Sequence, residues 1–269
     1  MEERAAEIEE RGAAAFIAEF VGTFLLVLFI CVAASQSGGT GVTDFAVIGL
    51  VHFLALAVLV AVLGGVSGGH FNPAVSVALA TLRKIAPADA ATYVVCQLAG
   101  GVAAALIVGL MTGDAGDIAG LGALVPNEAF GMTVWSVGLA ELLGTFILMG
   151  AIMGTAVARG DAQRWAPLII GGALGLGALA LAPLTGAGFN PARAFGPAIA
   201  SGQFGGADVF IVGYLVAPVL GALAAAFGYQ ALVLAPRGRE GHRPVDTLGE
   251  SPAERLAEEA RDQAAERRG

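Results

Sequence analysis

The tripeptide Asn-Pro-Ala occurs twice in this chain, both times inside strongly apolar sequence. The two copies are Asn72-Pro73-Ala74 and Asn190-Pro191-Ala192. Each copy predicts the start of a helix, because Asn can accept hydrogen bonds from free backbone N–H groups and Pro is favoured at the first helical position. An amide beside the positive dipole end of a helix suits neutral hydrogen-bonding solutes and repels cations. The alternative is that each Asn only caps a buried helix.

Four ionisable residues in apolar surroundings could also act on a solute. Arg193 follows the second motif directly, and its charge must face water or a partner unless it reaches the lipid headgroups. His70 precedes the first motif and either lines a pore or is a satisfied buried residue. Glu19 and Glu141 lie deep in apolar segments, where a carboxylate must be neutral or well hydrogen bonded. Their symmetric placement favours acceptance of backbone N–H groups over a proton relay.

Long apolar segments must position these residues. Hydrophobic residues make up 57% of the 269 residues and charged residues 13%, proportions typical of a multi-pass membrane protein. Windows long enough to cross a hydrocarbon core of about 30 Å lie at 13–34, 45–65, 89–112, 131–157, 166–184 and 208–234. No cleavage site of small residues follows the first window, so we expect a retained span rather than a signal peptide.

The spans fall into two halves built on one plan. Residues 18–24 (AEFVGTF) recur as 140–146 (AELLGTF), and each half reaches its Asn-Pro-Ala about 50 residues later. Repeat one covers about 13–112 and repeat two about 131–235. Three spans per half is an odd number, so the repeats are inverted. The predicted fold is an all-α membrane protein with six transmembrane helices and two re-entrant half-helices.

The two re-entrant segments are expected at about 66–84 and 185–201. Each contains a helix too short to span the bilayer, so each must dip in and return. Irregular backbone at that depth is tolerated only where protein buries it or water lines it. Because the two segments enter from opposite faces, they meet at the midplane, and a pore is the natural consequence.

The basic residues predict the orientation in the membrane. All but Arg193 of the 14 Lys and Arg residues fall on one side of the six spans. Cytoplasmic loops carry the excess of Lys and Arg, so we expect both termini to be cytoplasmic and the protein to lie in the plasma membrane. Residues 1–12 are then a cytoplasmic segment, and 236–269 form a charged tail that is disordered or a solvated helix. A single Lys and abundant Ala and Gly indicate a bacterial genome rich in GC.

These motifs closely resemble the aquaporin family, also called the major intrinsic proteins, over roughly residues 13–234. The resemblance is carried by both Asn-Pro-Ala motifs, Arg193, Gly68-Gly69-His70, the paired Glu-x-x-Gly-Thr-Phe and Phe195-Gly196-Pro197. It implies a homotetramer in the lipid bilayer with one pore per subunit. The implied function is a passive channel that conducts water and other small neutral solutes, such as ammonia, urea or hydrogen peroxide, while excluding protons and ions.

The resemblance also assigns roles to single residues. It implies a selectivity filter, at the outer constriction of the pore, formed by His52, Ala178, Ala187 and Arg193. It also implies that His70 and Gly188 line the pore. We expect Glu19 and Glu141 to support the re-entrant loops. His52 resembles the plant vacuolar branch of the family, and two Ala residues in place of bulkier side chains are expected to widen the filter.

Other functions are less favoured by the sequence. Ala194 and Tyr214 resemble water channels whereas Leu215 does not, so a facilitator of glycerol and small solutes is the alternative within the family. A coupled secondary transporter using Glu19 and Glu141 is a further alternative, and it would accumulate solute against a gradient. The sequence presents no clustered nucleophile, metal-ligand set or acid–base pair, so we expect no enzyme activity, metal, cofactor or nucleic-acid partner.

Overall fold

The computed structural model describes residues 11–36, 42–114, 116, 119–158 and 160–235. Most of the predicted N-terminal segment 1–12 and the whole predicted tail 236–269 lie outside the described residues. Within them the chain is helical, with six helices long and apolar enough to cross a membrane. These are α1 (Ala13–Gln36), α2 (Val42–Ser67), α4 (Pro87–Thr112), α5 (Val134–Val157), α6 (Ala166–Thr185) and α8 (Val209–Leu234). The predicted spans are confirmed to within about one helical turn.

Two short helices stand between the spans, where the sequence predicts them. They are α3 (Pro73–Thr81), with 9 residues, and α7 (Pro191–Ser201), with 11 residues. At about 1.5 Å per residue, each reaches roughly halfway across a hydrocarbon core of about 30 Å. Asn72 and Asn190 are their N-caps, in extended backbone conformation, and Pro occupies the first helical position of both.

The six long helices pack as two equivalent sets. In the first half α1 packs against α2 and α4, and in the second half α5 packs in the same way against α6 and α8. The halves join along α2 and α6. Each half-helix also contacts the opposite half, since α3 packs on α8 and α7 packs on α4. The inverted repeat therefore interlocks, and the two half-helices lie at its centre.

Glycine permits the closest of these contacts. A Cβ atom on Gly101 of α4 would lie 2.5 Å from the carbonyl oxygen of Ala192 at the start of α7. On the other side, a Cβ atom on Gly196 would overlap the carbonyl oxygen of Gly101. Backbones approach this closely only where side chains are absent, so these two glycines allow α7 to sit directly against α4.

The connection between α4 and α5 folds over the predicted outer face. It contains two short 3₁₀ turns, Gly120–Gly122 and Glu128–Phe130. Asn127 joins this connection to the end of α6, because its backbone N–H donates to the carbonyl of Leu184 and its side-chain amide donates to that of Pro183, at 3.0 and 2.9 Å. The connection is thereby held beside the entrance to the second re-entrant loop.

Candidate solute channel

The carboxylate of Glu19 holds the first re-entrant loop from inside α1. Its Oε1 accepts the backbone N–H of His70 at 2.9 Å and its Oε2 accepts that of Phe71 at 2.7 Å. The Ser67 hydroxyl and the Gln97 amide also donate to it, both at 2.7 Å. A fully buried carboxylate is tolerable when it accepts this many hydrogen bonds, and the bonds fix the loop just before Asn72.

The second half repeats this arrangement with Glu141. Its Oε1 accepts the backbone N–H of Gly188 at 3.0 Å, and its Oε2 accepts that of Phe189 at 2.6 Å. The Thr185 hydroxyl donates at 2.7 Å in the place that Ser67 takes in the first half. Each predicted loop-supporting Glu thus lies against the loop of its own half, bonded to the residues that precede the Asn-Pro-Ala motif.

The two Asn side chains meet at the centre of the molecule. Asn72 Oδ1 accepts the N–H of Ala74, and Asn190 Oδ1 accepts that of Ala192, both at 2.9 Å. Each amide nitrogen then donates across the repeat to a backbone carbonyl of the other loop, on Phe189 or Phe71, at 2.8 Å. An amide nitrogen has two hydrogens, so each Asn caps its helix, ties the loops together and has a second N–H for which the described residues show no partner.

A narrow, mainly apolar cavity, with about 20 Å³ of room for the centres of water molecules, passes these two Asn residues. Side chains that line it come from both halves: Leu26, Ile30, His52, Leu56, His70, Asn72, Val75, Leu148, Ile152, Ile170, Leu174, Asn190 and Arg193. Gly69 and Gly188 complete the lining. The cavity combines apolar walls with a few hydrogen-bonding groups, which is how pores favour small polar solutes.

A second, wider space, with about 810 Å³ of room for the centres of water molecules, opens on the predicted outer side. The α4–α5 connection and the end of α6 form most of its wall. Among the described residues, Arg193 is the one that lines both this vestibule and the narrow cavity. The guanidinium is therefore placed at the boundary where a solute from the vestibule enters the narrow part.

Arg193 and His52 both carry a buried atom with no protein partner. The Arg193 Nη1 donates to the carbonyl of Gly122 at 2.8 Å, whereas its Nε has no partner in the described residues. Nδ1 of His52 lies 2.8 Å from the carbonyl oxygen of Ile48, and its Nε2 likewise finds no partner there. Buried polar atoms are seldom unsatisfied, so both atoms fit a path on which water or solute supplies the missing bonds.

The other predicted site residues divide into two groups. His70 and Gly188 line the narrow cavity together with His52 and Arg193. Ala178 and Ala187 are fully buried but are not in the described lining of that cavity. Ala187 also adopts a left-handed backbone conformation, with φ of 54°, which is uncommon for a residue other than glycine. Of the four predicted filter residues, His52 and Arg193 therefore line the cavity. Ala178 and Ala187 are buried in the protein outside its described lining.

Sequence reasoning missed the contacts of two buried pairs at this site, Gln97 with Ser76 and Tyr93 with Tyr214. The Gln97 amide donates to Ser76 Oγ at 2.9 Å, and Ser76 Oγ lies 3.0 Å from His70 Nδ1. Tyr93 and Tyr214 occupy equivalent places, each donating its hydroxyl to the carbonyl of Ser67 or Thr185 at 2.7 Å. A buried Gln in the middle of a predicted span was the available signal, because such a residue needs partners inside the protein.

Comparison with known proteins identifies the family. The model of the major intrinsic protein family matches residues 8–229. The chain belongs to this family. Aquaporin AqpM of Methanothermobacter thermautotrophicus is 38% identical over 237 residues, covering 80% of this chain and 96% of the relative. Nodulin-26 of Glycine max is 36% identical over 219 residues, covering 79% and 75%.

A solved structure agrees with the sequence comparisons. The X-ray structure of the aquaglyceroporin from Plasmodium falciparum matches with a TM-score of 0.69 and 25% identity, covering 83% of this chain and 97% of that one. The resemblance stated from the motifs is thus confirmed, as are the aquaporin fold and the multi-pass membrane character. Major intrinsic proteins are channels, so this chain is a passive channel for water and small neutral solutes.

Proposed function

We propose that water is the main solute of this channel and that Asn72, Asn190, Arg193 and His52 set what passes. The observation that carries the proposal is the row of buried polar atoms along the narrow cavity. Asn72 and Asn190 each have one N–H beyond those used in loop contacts, and Arg193 Nε and His52 Nε2 have no partner in the described protein. Water can bond to all four because it both donates and accepts.

Proton exclusion follows from the two central amides. A water molecule that accepts an N–H from Asn72 and another from Asn190 has both lone pairs occupied. It can then donate to its neighbours but cannot accept a proton from them, so the chain of waters is interrupted for proton transfer. The positive ends of α3 and α7 and the charge of Arg193 add an electrostatic barrier to cations. Water flux without proton leak is the expected property.

The range of other solutes depends on the width beside Arg193. We propose that Ala178 and Ala187 widen the pore beside Arg193, because their side chains are small and bulkier ones would fill that space. Ammonia, urea or hydrogen peroxide are then candidate solutes. A glycerol facilitator is compatible with the family and with the aquaglyceroporin neighbour, but no described contact favours it over a water channel.

A narrowing variant tests this proposal. Ala178→Phe should lower urea and glycerol permeability by about tenfold or more, equivalent to raising a barrier by about 1.4 kcal/mol, while much of the water permeability remains. Leu168→Phe is the matched control, since Leu168 lies on the same helix and is 51% exposed. Equal urea permeability in Ala178→Phe and Leu168→Phe would remove Ala178 from the filter.

We further propose a homotetramer in the plasma membrane with both termini cytoplasmic and a channel unit over residues 13–235. Support for assembly comes from the large apolar side chains exposed on α1, α2, α5 and α6, such as Phe29, Leu54 and Trp135, which lipid or neighbouring subunits must cover. Support for orientation comes from the basic residues, of which only Arg193 breaks the positive-inside pattern.

Native mass spectrometry of the protein from membranes tests the tetramer. We expect an assembly of four copies, and a monomer alone would contradict it.

A further inference from the structure

The first half of the channel contains a buried chain of polar groups that the second half lacks. It runs from Glu19 through Gln97 and Ser76 to His70, with successive distances of 2.7, 2.9 and 3.0 Å. Ser76 lies four residues after Asn72, and the residue four after Asn190 is Ala194. Gln97 lies four residues after Tyr93, and the residue four after Tyr214 is Pro218. Neither Ala nor Pro can replace the side-chain bonds, so loop support alone does not account for the chain.

The direction of every hydrogen bond in this chain follows from its first member. Both carboxylate oxygens of Glu19 accept backbone N–H groups, which can only donate. Gln97 therefore presents its amide nitrogen to Glu19, and the second hydrogen of that nitrogen is donated to Ser76 Oγ. Ser76 Oγ accepts this bond through one of its two lone pairs, and we assign its single hydroxyl proton to His70 Nδ1, the other side-chain atom in contact with it among the described residues.

With the proton of Ser76 assigned in this way, His70 Nδ1 accepts a hydrogen bond and carries no proton. A neutral imidazole has its proton on one nitrogen only, so the proton of His70 must be on Nε2. The ring of His70 is in the lining of the narrow cavity. We propose that Glu19, Gln97 and Ser76 act as positioning residues that lock the proton of His70 on Nε2 and make this side chain a permanent hydrogen-bond donor to the solute.

Nε2 of His52, the other histidine of the cavity, has the opposite hydrogen-bonding role to Nε2 of His70. Nδ1 of His52 faces the carbonyl oxygen of Ile48 at 2.8 Å, and a carbonyl can only accept, so Nδ1 carries the proton. Nε2 of His52 is buried and makes no hydrogen bond of good geometry in the described residues, although the ring also interacts with the backbone of Ala187. With the proton on Nδ1, Nε2 is an acceptor. The two histidines, both in the lining of one cavity, present a fixed donor and a fixed acceptor.

This polarity defines the class of solute more narrowly than the proposed function, on which it rests for the path past both histidines. Among the side chains in the described lining, His70, Asn72, Asn190 and Arg193 supply donors and His52 supplies an acceptor. A solute must offer a free lone pair to bond to most of these side chains. Water, ammonia and urea have one, whereas ammonium has none, so the arrangement favours the neutral form of a titrating amine.

Solid-state ¹⁵N NMR of the full chain in lipid bilayers tests the proposal. The sequence has 3 His residues, and His242→Gln leaves His52 and His70 as the labelled rings, which a His70→Gln variant assigns. Pyridine-type and pyrrole-type nitrogens have well-separated resonances, so each proton can be located. We expect pyrrole-type Nε2 for His70 and pyrrole-type Nδ1 for His52, with the Nε2–H form of His70 in about tenfold excess or more.

Two variants separate positioning from mere packing. Gln97→Met removes both amide bonds, so Nδ1–H of His70 no longer competes with the Gln97 amide for Ser76 Oγ. The Nε2–H excess of His70 should then fall by roughly fivefold, the effect of one typical hydrogen bond. Ser76→Ala should shift the Nδ1 resonance of His70 to that of an unbonded nitrogen. Ser201→Ala is the matched control, because this serine of α7 donates only to the Pro197 carbonyl of its own helix, and it should change neither signal.

Each outcome decides the proposal. A proton on Nδ1 of His70, one tautomer shared by both histidines, or a His70 signal unmoved by Gln97→Met and Ser76→Ala would overturn it. Osmotic water permeability of the same preparations is measured in parallel. Fast water flux with the wrong tautomers rejects the polarity and leaves the channel intact, whereas the expected tautomers without water flux reject the proposed function alone.

Discussion

At the scale of single residues, Arg193 is held by protein contacts at the place where we propose that solutes are selected. Its backbone lies in the first turn of α7, its Nη1 is fixed on the Gly122 carbonyl at 2.8 Å, and its Nε has no partner in the described protein. The side chain is 3% exposed although it borders the vestibule. A charge held this firmly at the entrance can sort solutes by charge and by size.

Replacing this charge should relax the filter. We expect Arg193→Val to raise urea and glycerol permeability by about tenfold, corresponding to a barrier lowered by about 1.4 kcal/mol, and to admit small cations. Flux assays on proteoliposomes measure both effects. The control is Arg164→Val, which removes an exposed Arg outside the cavity. Selectivity equal to that of the unmodified channel would exclude Arg193 from the filter.

The two buried Glu residues give a second prediction at this scale. In Glu141→Gln one oxygen becomes an NH₂ group, yet the groups that face the carboxylate, on Thr185, Gly188 and Phe189, all donate. A donor opposed to a donor should lower the free energy of unfolding by about 1–3 kcal/mol, seen as a lower melting temperature in detergent. Glu19→Gln should have the same effect on stability.

The same variants test the coupled-transporter alternative. A passive channel does not accumulate solute against a gradient, so we expect no accumulation by the unmodified protein or by either variant. Accumulation by the unmodified protein that is lost in Glu19→Gln or Glu141→Gln would instead support the coupled transporter.

The sequence predicts the contacts that these residues make with their neighbours in the chain. It does not predict their contacts with residues far away in the sequence. Asn72 and Asn190 could be assigned as N-caps because the cap depends on neighbours within the same turn. The bond from Asn72 to the Phe189 carbonyl joins positions 117 residues apart, and no local pattern encodes it. Ser76 and Gln97 were missed for the same reason, as their partners come together only when α1, α3 and α4 pack.

At the scale of the helices, hydropathy determines the spans and small residues determine how closely they approach. A Cβ atom on Gly171 of α6 would lie 2.6 Å from the Phe53 carbonyl oxygen of α2, whereas one on the adjacent Gly172 would meet nothing within 4 Å. The two helices therefore pack through one side of this glycine pair. Apolar windows predicted the span correctly, but only the packing distinguishes the two glycines.

This difference makes a matched pair of variants. Gly171→Ala should destabilise the protein by about 1–3 kcal/mol through overpacking at the seam between the two halves. Gly172→Ala should be neutral or stabilising by up to about 1 kcal/mol, since alanine is the better helix former. Thermal unfolding of both variants in detergent measures the effects. A loss of equal size at the two positions would contradict the assigned packing side.

At the scale of the whole molecule, the inverted repeat explains why the channel lies at its centre. The half-helices begin head to head, each Asn bonds to the opposite loop, and the half-helices pack on spans of the other repeat. Duplication could be predicted from matching motifs, because both halves use the same local sequence. Two features differ between the halves: the hydrogen-bonded chain through Gln97, and the position of Arg193 between the vestibule and the narrow cavity. Each depends on single residues that are not shared by the two halves, so it could be recognised only in the structure.

The most direct test of this account is stopped-flow light scattering on proteoliposomes, with an impermeant sucrose gradient and an internal pH dye. We predict fast water flux with a low activation energy and no proton leak above that of empty liposomes. Glycerol and urea gradients on the same vesicles give the solute range. Water flux no faster than in empty liposomes, or fast water flux accompanied by proton leak, would contradict a water channel whose central amides interrupt proton transfer.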